Sequence, residues 1–575
     1  MKHVIIGGVA GGATAAARIR RADELAEIVL LEKGQYISYA NCGLPYYIGG
    51  TITDRDELLL QTPRSFKARF NVDVRVGHEA TGIDAQAKTV EVRRADGSRY
   101  TESYDKLLLS PGAEPVRPPL EGIDLEGIFT LRSVDDTDNI KRWLASRRVK
   151  RAVVVGAGFI GLEMAENLHS AGAHVTIVEM GDQVMAPLDF SMAAQVHHHL
   201  RQKGVTLHLG QSVERFSRDG ERVAVHLKSG EVVEADIVIL SIGVRPSTAL
   251  ARAAGLKIGE TGGIWVDEYL QTSAKDVYAV GDAVEFPHPL TGKPWLNYLA
   301  NPANRQGRLV ADNMVHGNLV RYEGAIGTAI AKVFDMTVAS TGLAAKRLRQ
   351  LGMPYRSSWT HLSSHAGYYP GALPLSIKLT FDPASGKLYG GQCVGYEGVD
   401  KRIDQIAIVI KHGGTVYDLA GVEHAYAPPY SSAKDPVAIA GYVAGNIVSG
   451  AMPAATWREV QGASRSSGDP GAPHAAGGSG EPGNPGAEGV GAVLLDVRTR
   501  GEFSKGHIPG AVNIPVDELR SRLAEVPSDK PVIIYCAVGQ RGYLATRILM
   551  AHGFRDVRNL SGGYKTYSTA VAPVK

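Results

Sequence analysis

The chain has 575 residues, of which 44% are hydrophobic and 21% are charged, as in an ordinary globular protein of about three to five domains. Its 62 basic and 59 acidic residues nearly balance, so charge gives no reason to expect a nucleic-acid or membrane partner. Three cysteines are too few for a disulfide framework and favour a reducing compartment. We therefore expect a cytoplasmic protein without a signal peptide, a membrane-spanning segment or a metal site.

The chain begins with a predicted βαβ unit. An apolar strand at residues 4–6 is followed by a glycine-rich turn at residues 7–12, in which Gly7 and Gly12 take the outer positions of a GxGxxG motif. Such turns let backbone N–H groups and a helix dipole face a pyrophosphate. Glu32 ends the next strand about 20 residues after Gly12, where a carboxylate binds the ribose hydroxyls of a dinucleotide. Turn, spacing and acid together predict a dinucleotide site.

The helix after this turn carries Thr14, Arg18 and Arg21 along one face. This spacing is typical of a solvated basic surface. The functional alternative is a clamp for a phosphate-bearing substrate near Cys42.

Cys42 lies in the stretch SYANCGLPYYIGG, residues 38–50, just after the first unit. The other cysteines are Cys393 and Cys536, and no CxxC pair occurs. A redox role for Cys42 therefore requires a disulfide partner from outside the chain or from another subunit, or a persulfide or sulfenate state. The alternative is a buried, inert cysteine. Cys393, in a strand-like run at residues 390–395, is expected to be structural.

Three further runs are rich in strand-forming residues, at 72–76, 89–94 and 106–109, and the last exits sharply at residues 110–113. We expect them to complete the first nucleotide domain.

A second βαβ unit follows. A strand at residues 153–155 leads into Gly156, Gly158 and Gly161, which match GxGxxG in full. Glu179 ends the next strand at a similar distance from the motif as Glu32. A carboxylate there binds a free ribose 2′-hydroxyl and repels a 2′-phosphate, which favours NADH over NADPH.

A late strand at residues 277–280 runs into Gly281 and Asp282 and predicts a further carboxylate beside a nucleotide-type ligand. Two dinucleotide sites suggest one tightly held and one exchanging cofactor. FAD with a nicotinamide suits the transfer of a hydride's electrons to sulfur.

Together, the two glycine motifs, the Gly-Asp element and the single-cysteine stretch resemble the pyridine nucleotide–disulfide oxidoreductases. Within them, the match is to CoA-disulfide reductases fused to a rhodanese domain, a group that includes persulfide reductases. The resemblance implies an α/β fold with two Rossmann-like nucleotide-binding domains, an α+β dimerisation domain and a C-terminal α/β rhodanese domain. The implied boundaries are 1–113 with 272–324 (FAD), 114–271 (NAD), 325–455 (dimerisation) and 456–575 (rhodanese).

The resemblance also implies roles for individual residues. Cys42 would be the redox cysteine and would form a mixed disulfide with CoA. The implied FAD contacts are Gly7, Ala10, Gly12, Glu32, Lys33, Ala80, Ser110, Gly112, Asp282 and Ala300. The implied NADH contacts, with NADPH possible, are Gly156, Gly158, Gly161 and Glu179. The implied CoA contacts are Thr14, Arg18, Arg21, Ser38, Asn41 and Lys434.

Tyr368 and Tyr426 match the family's tyrosines that reach across a homodimer to the partner's cysteine, where a phenol could protonate a departing thiolate. Tyr369 and Tyr430 are the alternatives, and core packing is the other common role of a tyrosine. The chain departs from the family pattern at two CoA-binding positions. Asn304 stands where some relatives have histidine, and Phe70 stands in place of a lysine.

The C-terminal region resembles a single-domain rhodanese. We expect its opening strand at residues 456–460 and a flexible Gly/Pro-rich insertion at about 462–491. Cys536 opens a loop before a helix, where converging N–H groups hold an anion or persulfide. Arg541 adds positive charge, and Asp496 and Arg498 are expected to brace the loop. The alternative is a degenerate rhodanese that acts as a docking module.

These observations predict an NADH-dependent flavoprotein that reduces CoA persulfides, polysulfides or CoA disulfide at Cys42, while Cys536 handles sulfane sulfur. The alternative is an NADH oxidase or peroxidase in which Cys42 cycles as a sulfenate. That alternative leaves the basic helix face and the rhodanese-like region unexplained.

Overall fold

A computed structural model describes residues 1–465 and 491–572 of the chain. They form two compact units. The first contains residues 1–181 and 204–327, and the second contains residues 182–203 and the described part of 328–575. Between Met1 and residue 465, and from 491 to 572, no helix has both the length and the apolar composition of a membrane span.

Helices and strands are numbered along the chain. Residues 2–129 form β1 (Lys2–Ile6), α1 (Ala10–Ala22), β2 (Glu27–Glu32), α2 (Leu44–Ile48), α3 (Pro63–Phe70), β3 (Asp73–Val76), β4 (His78–Asp84), β5 (Thr89–Arg94), β6 (Arg99–Ser103), β7 (Lys106–Leu109), β8 (Ala113–Pro115) and β9 (Ile128–Phe129). Residues 134–316 form α4 (Val134–Ser146), β10 (Arg151–Val155), α5 (Phe159–Ser170), β11 (His174–Glu179), α6 (Phe190–Gln202), β12 (Thr206–Leu209), β13 (Val213–Asp219), β14 (Arg222–Leu227), β15 (Val232–Ala235), β16 (Ile237–Leu240), β17 (Val244–Pro246), α7 (Ala249–Ala253), β18 (Ile264–Trp265), β19 (Val277–Ala279), β20 (Val284–Pro287), β21 (Pro294–Trp295) and α8 (Ala300–His316).

The remaining elements belong to the second unit. Residues 329–455 form β22 (Ala329–Val333), β23 (Met336–Gly342), α9 (Ala345–Gln350), β24 (Arg356–Ser363), β25 (Pro374–Phe381), β26 (Leu388–Gly395), α10 (Val399–Lys411), α11 (Val416–Ala420), α12 (Pro436–Val448) and β27 (Ala454–Ala455). Residues 457–571 form α13 (Trp457–Arg465), β28 (Val493–Asp496), α14 (Arg500–Ser504), β29 (Val512–Asn513), α15 (Val516–Leu519), β30 (Val532–Tyr535), α16 (Gln540–Ala551), β31 (Val557–Leu560) and α17 (Gly563–Val571).

A five-stranded parallel sheet in the order β19–β7–β1–β2–β3 holds the first glycine-rich turn. Its strands are continuous apolar runs because both faces are covered, and Val4, Ile5 and Leu30 have no exposed surface. Two of the three predicted runs, at 72–76 and 106–109, join this sheet as β3 and β7. The third is β5, which lies in a separate antiparallel sheet with β4 and β6.

The second glycine motif follows β10 in a parallel sheet of order β12–β11–β10–β16–β9. The antiparallel sheet β13–β14–β15 shares a core with it, and Phe216 and Val225 of that sheet cluster with Val153 and Val238. Both glycine motifs therefore occupy the carboxyl end of a parallel strand, where doubly wound sheets bind their ligands.

The second unit contains two five-stranded sheets. The antiparallel sheet β22–β23–β26–β25–β24 packs against α10 and α12, and Cys393 on β26 is fully buried within it. The parallel sheet β27–β31–β30–β28–β29 is the rhodanese-like layer. The α/β class with two Rossmann-like sheets, an α+β layer and a C-terminal α/β layer is confirmed.

The predicted strand at residues 456–460 is wrong. The opening strand of the C-terminal sheet is β27, at Ala454–Ala455, and it pairs in parallel with β31. Residues 457–465 form helix α13 instead, because Thr456 and Glu459 form a reciprocal cap at its first turn. The Thr456 N–H donates to the Glu459 carboxylate at 2.6 Å, and the Glu459 N–H donates to the Thr456 hydroxyl at 3.4 Å. Most of the predicted flexible insertion at 462–491 lies outside the described residues.

Candidate active site

The first glycine-rich turn is as tight as the sequence predicted. Gly7 has φ of +100°, and a Cβ atom there would lie 2.2 Å from the Ser110 carbonyl oxygen. A Cβ atom at Gly12 would lie 1.9 Å from the Gly7 carbonyl oxygen. The Glu32 carboxylate accepts from the N–H of Gly8 at 2.9 Å and of Gly34 at 2.8 Å. A carboxylate is thus fixed at the end of β2, beside the turn.

The second turn repeats this construction. Gly156 has φ of +99°, and a Cβ atom at Gly161 would lie 2.1 Å from the Gly156 carbonyl oxygen. Glu179 accepts from the N–H of Ala157 at 2.8 Å and of Gly181 at 2.7 Å. Gly158 faces open space, with no atom within 4 Å of its Cβ position, so a ligand's phosphate can approach the backbone.

Cys42 lies in a short 3₁₀ turn, Asn41–Gly43, directly before α2. Its side chain is exposed, whereas Cys393 and Cys536 are buried. The pKa of the Cys42 thiol is raised, chiefly because the sulfur is partly withdrawn from water. The negative charges of Glu163 and Asp282 raise it further. Cys42 is therefore an exposed residue whose thiolate form is disfavoured by burial of the sulfur and by two carboxylates.

Glu163 is a site residue that the sequence analysis missed. It lies on α5, just after the second glycine motif, and the hydroxyl of Tyr46 donates to its carboxylate at 3.5 Å. Burial, with a smaller contribution from Glu166, raises the pKa of Glu163 to about 7. Tyr46 belongs to the cysteine stretch, so this contact joins α2 to α5 next to Cys42. The only sequence signal was the presence of two acidic residues, Glu163 and Glu166, in the helix that follows the second glycine motif.

Asp282 lies in a 3₁₀ turn, Gly281–Ala283, after β19. Burial raises the pKa of its carboxyl group to about 6, and Arg132 opposes this effect. The neighbouring Gly281 N–H donates to the Gln306 side chain at 2.7 Å, which fixes the turn against α8. A half-buried carboxyl group is thus held near the carboxyl end of the first sheet.

The other predicted FAD contacts lie on several elements of the first unit. Ser110 and Gly112 follow β7; the Ser110 N–H donates to the Ile6 carbonyl at 2.8 Å, and Gly112 has φ of +68°. Ala10 lies at the start of α1, Lys33 directly after β2, and Ala300 at the start of α8. Ala80 lies on β4 of the separate antiparallel sheet.

The predicted CoA contacts on α1 face α8. The Thr14 hydroxyl donates to the Asn304 side chain at 2.7 Å, and Arg18 forms an ion pair with Asp312 at 2.7 Å. Arg21 is exposed. Asn304, which stands in place of the family histidine, therefore accepts a hydrogen bond from Thr14. Arg18, part of the basic face of α1, is neutralised by Asp312.

Two predicted CoA contacts lie close to Cys42. Ser38 adopts φ of +44°, and its N–H donates to the Gly8 carbonyl at 2.8 Å, while Asn41 is exposed. Phe70, the second departure from the family pattern, packs against Phe66 with ring centroids 4.8 Å apart.

In the second unit, Tyr368 and Tyr426 are brought together. Their hydroxyl oxygens lie 2.7 Å apart, and both side chains are exposed. The hydrogen bond between the two hydroxyls raises the pKa of Tyr426. The alternatives differ in their contacts: the Tyr369 ring meets His365 edge-on at 5.6 Å, and the Tyr430 carbonyl accepts from Lys401. The predicted CoA contact Lys434 is exposed in the same unit.

Arg402 holds the two tyrosine segments in place and was also missed. It is fully buried on α10 and pairs with Asp435 at 3.0 Å. Its guanidinium also donates to the Ser364 carbonyl at 2.8 Å and to the Ser431 hydroxyl at 3.4 Å. Ser364 precedes Tyr368, and Ser431 follows Tyr426, so one buried cation fixes both segments.

The rhodanese-like loop begins at Cys536, after β30, and leads into α16. The Gly539 N–H donates to the Cys536 sulfur at 3.1 Å. Arg541 is paired through both nitrogens with Glu502, at 2.7 and 2.6 Å, and this ion pair lowers the pKa of Glu502 to about 2. The charge of Arg541 is therefore shared with a carboxylate to which the sequence analysis gave no role.

Asp496 and Arg498, which were expected to brace this loop, form an ion pair with each other. Arg498 donates to both carboxylate oxygens of Asp496 and to the Gly506 carbonyl at 2.8 Å. Its guanidinium lies 4.2 Å from the centroid of the Tyr564 ring. The Tyr564 N–H in turn donates to the Cys536 carbonyl at 2.8 Å, so the pair is linked to the backbone of the cysteine.

Comparisons with known families and proteins agree with this geometry. The family described as pyridine nucleotide-disulphide oxidoreductase matches residues 1–307, and its dimerisation domain matches residues 328–437. The rhodanese-like domain family matches residues 486–570. A coenzyme A disulfide reductase from Staphylococcus aureus is 34% identical over 444 residues, which is 77% of this chain and 99% of that protein.

Two solved structures extend the similarity over the whole chain. Reduced CoADR-RHD from Bacillus anthracis is 47% identical with a TM-score of 0.93, and the match covers 99% of this chain and 98% of that one. A NAD-dependent persulfide reductase from A. fulgidus is 38% identical with a TM-score of 0.88, and the match covers 99% of this chain and 100% of that one.

Proposed function

The chain belongs to the pyridine nucleotide-disulphide oxidoreductase family and carries a rhodanese-like domain, and on this basis we propose that it is an NADH-dependent flavoprotein that reduces CoA persulfides and CoA disulfide through Cys42. The observation that carries the proposal is the exposure of Cys42 beside two dinucleotide-type turns, while the other two cysteines are buried. The name of the persulfide reductase relative supports the choice of substrates.

The residues of the first turn fit FAD. Its backbone leaves no room for a side chain at Gly7 or Gly12, and Glu32 offers a fixed carboxylate to a ribose. When bound, FAD would supply the transfer of two electrons from NADH to sulfur. Asp282 would hydrogen-bond the cofactor from the carboxyl end of the sheet. Glu179 would bind the ribose hydroxyls of the nicotinamide cofactor and so favour NADH.

With CoA disulfide, the Cys42 thiolate attacks one sulfur of the substrate. A bond forms between Cys42 and one CoA sulfur, the substrate's S–S bond breaks, and the first CoA leaves as a thiolate. Two electrons from NADH then cleave the mixed disulfide, which releases the second CoA and restores the Cys42 thiolate. One NADH and one proton are consumed for two CoA thiols.

With CoA persulfide, Cys42 can attack either of the two sulfur atoms, and both routes have the same overall stoichiometry. Attack on the CoA sulfur expels hydrosulfide and leaves a mixed disulfide, whereas attack on the sulfane sulfur expels the CoA thiolate and leaves a persulfide on Cys42. Two electrons from NADH complete either route. Both give one CoA thiol, one sulfide and NAD⁺ from one NADH and one proton.

The tyrosine pair would serve as the proton donor for these departing thiolates. In a homodimer, Tyr368 and Tyr426 would reach the partner subunit's Cys42. The matched dimerisation-domain family supports this arrangement. The exposure of both phenols supports it as well, because a donor that acts across an interface has to lie at the surface of its own chain.

The rhodanese-like domain would accept sulfane sulfur at Cys536 and pass it to CoA or to Cys42. The Gly539 N–H that contacts the Cys536 sulfur, together with the start of α16, would stabilise a persulfide anion there. A cytoplasmic location suits an enzyme that depends on NADH and on reduced thiols.

The test compares two cysteine variants of the flavin-loaded enzyme. Cys42→Ser is expected to abolish NADH oxidation with CoA disulfide, by at least about a thousandfold, while flavin absorbance is retained. Cys393→Ala is the matched control, because that cysteine is buried in β26, and it should keep its activity. Retained activity in Cys42→Ser contradicts the proposal. Rapid NADH oxidation in air without any sulfur substrate would favour an oxidase instead.

A further inference from the structure

A polar cavity lies in the second unit, next to the start of the rhodanese-like domain. It has a volume of about 20 Å³ and is partly open to solvent. Its walls come from three places: the N-terminus of α6, helix α9, and the first turn of α13. No residue that we assign to reduction or sulfur transfer lines it.

Cations dominate the lining of this cavity. Lys346, Arg349 and Arg458 all contribute to its wall. Two carboxylates also line it, but Asp189 is already neutralised by an ion pair with the fully buried Lys378 at 2.8 Å. That leaves Asp182, which is exposed, as the remaining negative group. Lys346 and Arg349 alone therefore outnumber the one remaining negative group of the lining.

Two buried donors of this wall have no acceptor. Within residues 1–465 and 491–572, neither Nε1 of Trp457 nor Nη1 of Arg349 has a hydrogen-bond partner, and Trp457 is only 3% exposed. A buried donor without a partner destabilises the fold, and a charged donor does so more strongly. A ligand with hydrogen-bond acceptors, such as an anion, would satisfy these donors.

The N-terminus of α6 adds further donors. This helix has 13 residues, and its N-cap residue, Asp189, makes no side-chain cap. The Asp189 carboxylate instead accepts from Gln392, Lys378 and the backbone of α9. Phe190 and Ser191, the first two residues of α6, line the cavity, so the positive end of the helix dipole lies beside it.

The aromatic part of the wall limits the size of a ligand. The rings of Phe190 and Trp457 are inclined by 30° with centroids 6.1 Å apart, so they contact each other and leave no space for a third ring between them. The Arg458 guanidinium lies over the Trp457 ring, 4.4 Å from its centroid.

We propose that this cavity is a binding site for a tetrahedral oxyanion, either an inorganic anion such as thiosulfate, sulfate or phosphate, or the phosphate group of a CoA molecule. Three cations, an indole N–H and a helix N-terminus converge on it. Bound there, the anion links α9 of the antiparallel-sheet domain to α13, the first helix of the rhodanese-like domain. The site does not depend on the chemistry proposed at Cys42.

The test is a calorimetric titration of the flavin-loaded enzyme at constant ionic strength in chloride. Sodium thiosulfate, sulfate, phosphate, CoA and dephospho-CoA are titrated separately, so that inorganic anions are distinguished from the phosphate of CoA. At least one should bind with one site per chain. Arg349→Gln should weaken that binding about tenfold or more, because a charge-assisted hydrogen bond is lost.

Two further variants sharpen the result. Trp457→Phe keeps an aromatic ring, removes the N–H and should weaken binding a few-fold, even if Arg349→Gln folds poorly. Arg347→Gln is the matched control, because Arg347 lies on the same helix but is exposed and donates to Gln350. Binding that is absent, or that Arg349→Gln and Trp457→Phe leave unchanged, overturns the proposal.

Discussion

The hydroxyl oxygens of Tyr368 and Tyr426 lie 2.7 Å apart, although the two residues are 58 positions apart in the chain and both are exposed. One phenol must donate to the other, so the pair presents one remaining O–H to a group outside its own chain. In the proposed homodimer that group is a thiolate that leaves the partner subunit's Cys42.

Replacing either phenol should slow the sulfur step. Tyr368→Phe and Tyr426→Phe each remove one member of the pair, and we expect roughly a hundredfold loss of turnover with CoA disulfide. The double variant should be little worse than either single variant, since the two hydroxyls act together. Tyr369→Phe and Tyr430→Phe are the controls. Equal losses in these controls would reassign the proton donor.

Arg402→Lys should loosen both tyrosine segments. A lysine keeps the charge but cannot reach Asp435, Ser364 and Ser431 together, so we expect the free energy of unfolding to fall by about 2–4 kcal/mol. Turnover with CoA disulfide should fall, whereas NADH-dependent reduction of an artificial dye should not. Asp404→Asn, on the exposed side of α10, is the control. Equal losses in both assays would mean that Arg402 only stabilises the fold.

Glu163→Gln should make Cys42 more reactive at alkaline pH. Glu163 has a pKa raised to about 7, so it is neutral below that pH and charged above it. Its charge raises the pKa of Cys42, and the variant removes that effect only above about pH 7. Alkylation of the reduced thiol by iodoacetamide should therefore be faster than in the unaltered enzyme at pH 8 and similar at pH 6. Unchanged rates at both, or the same gain in the exposed control Glu260→Gln, would contradict a coupling between Glu163 and Cys42.

Glu179→Arg should shift the cofactor preference toward NADPH. The carboxylate is held at the end of β11 by the N–H groups of Ala157 and Gly181. If it binds the ribose as proposed, an arginine replaces repulsion of a 2′-phosphate by attraction. We expect the ratio of kcat/KM for NADH over NADPH to fall at least about tenfold. Glu214→Arg, an exposed change in the same unit, controls for net charge. A ratio that does not move would mean that Glu179 lies away from the ribose.

Local patterns explain what could be predicted from the sequence. The two glycine turns and their acids follow from one strand, one turn and one helix, so Gly7, Gly12, Glu32 and Glu179 could be recognised without tertiary information. The cysteine stretch was singled out by the isolation of Cys42 from other cysteines and by its resemblance to a known family.

Contacts between distant segments explain what was missed. Tyr46 and Glu163 are 117 positions apart, and nothing local connects them. Arg402 was overlooked because a charged residue on a helix is expected at the surface, and its burial depends on Asp435 from another helix. The strand expected at 456–460 reflects a missed cap, since Thr456 and Glu459 are the S/T-x-x-E pattern that begins a helix.

The most direct measurement is anaerobic oxidation of NADH with CoA persulfide, with sulfide and CoA thiol assayed together. The proposed chemistry predicts one sulfide and one CoA thiol for each NADH in the unaltered enzyme, and in Cys536→Ser when CoA persulfide is supplied directly. It predicts no sulfide above background in Cys42→Ser. Sulfide release that persists in Cys42→Ser, or NADH oxidation without sulfide in the unaltered enzyme, would contradict reduction of sulfur at Cys42.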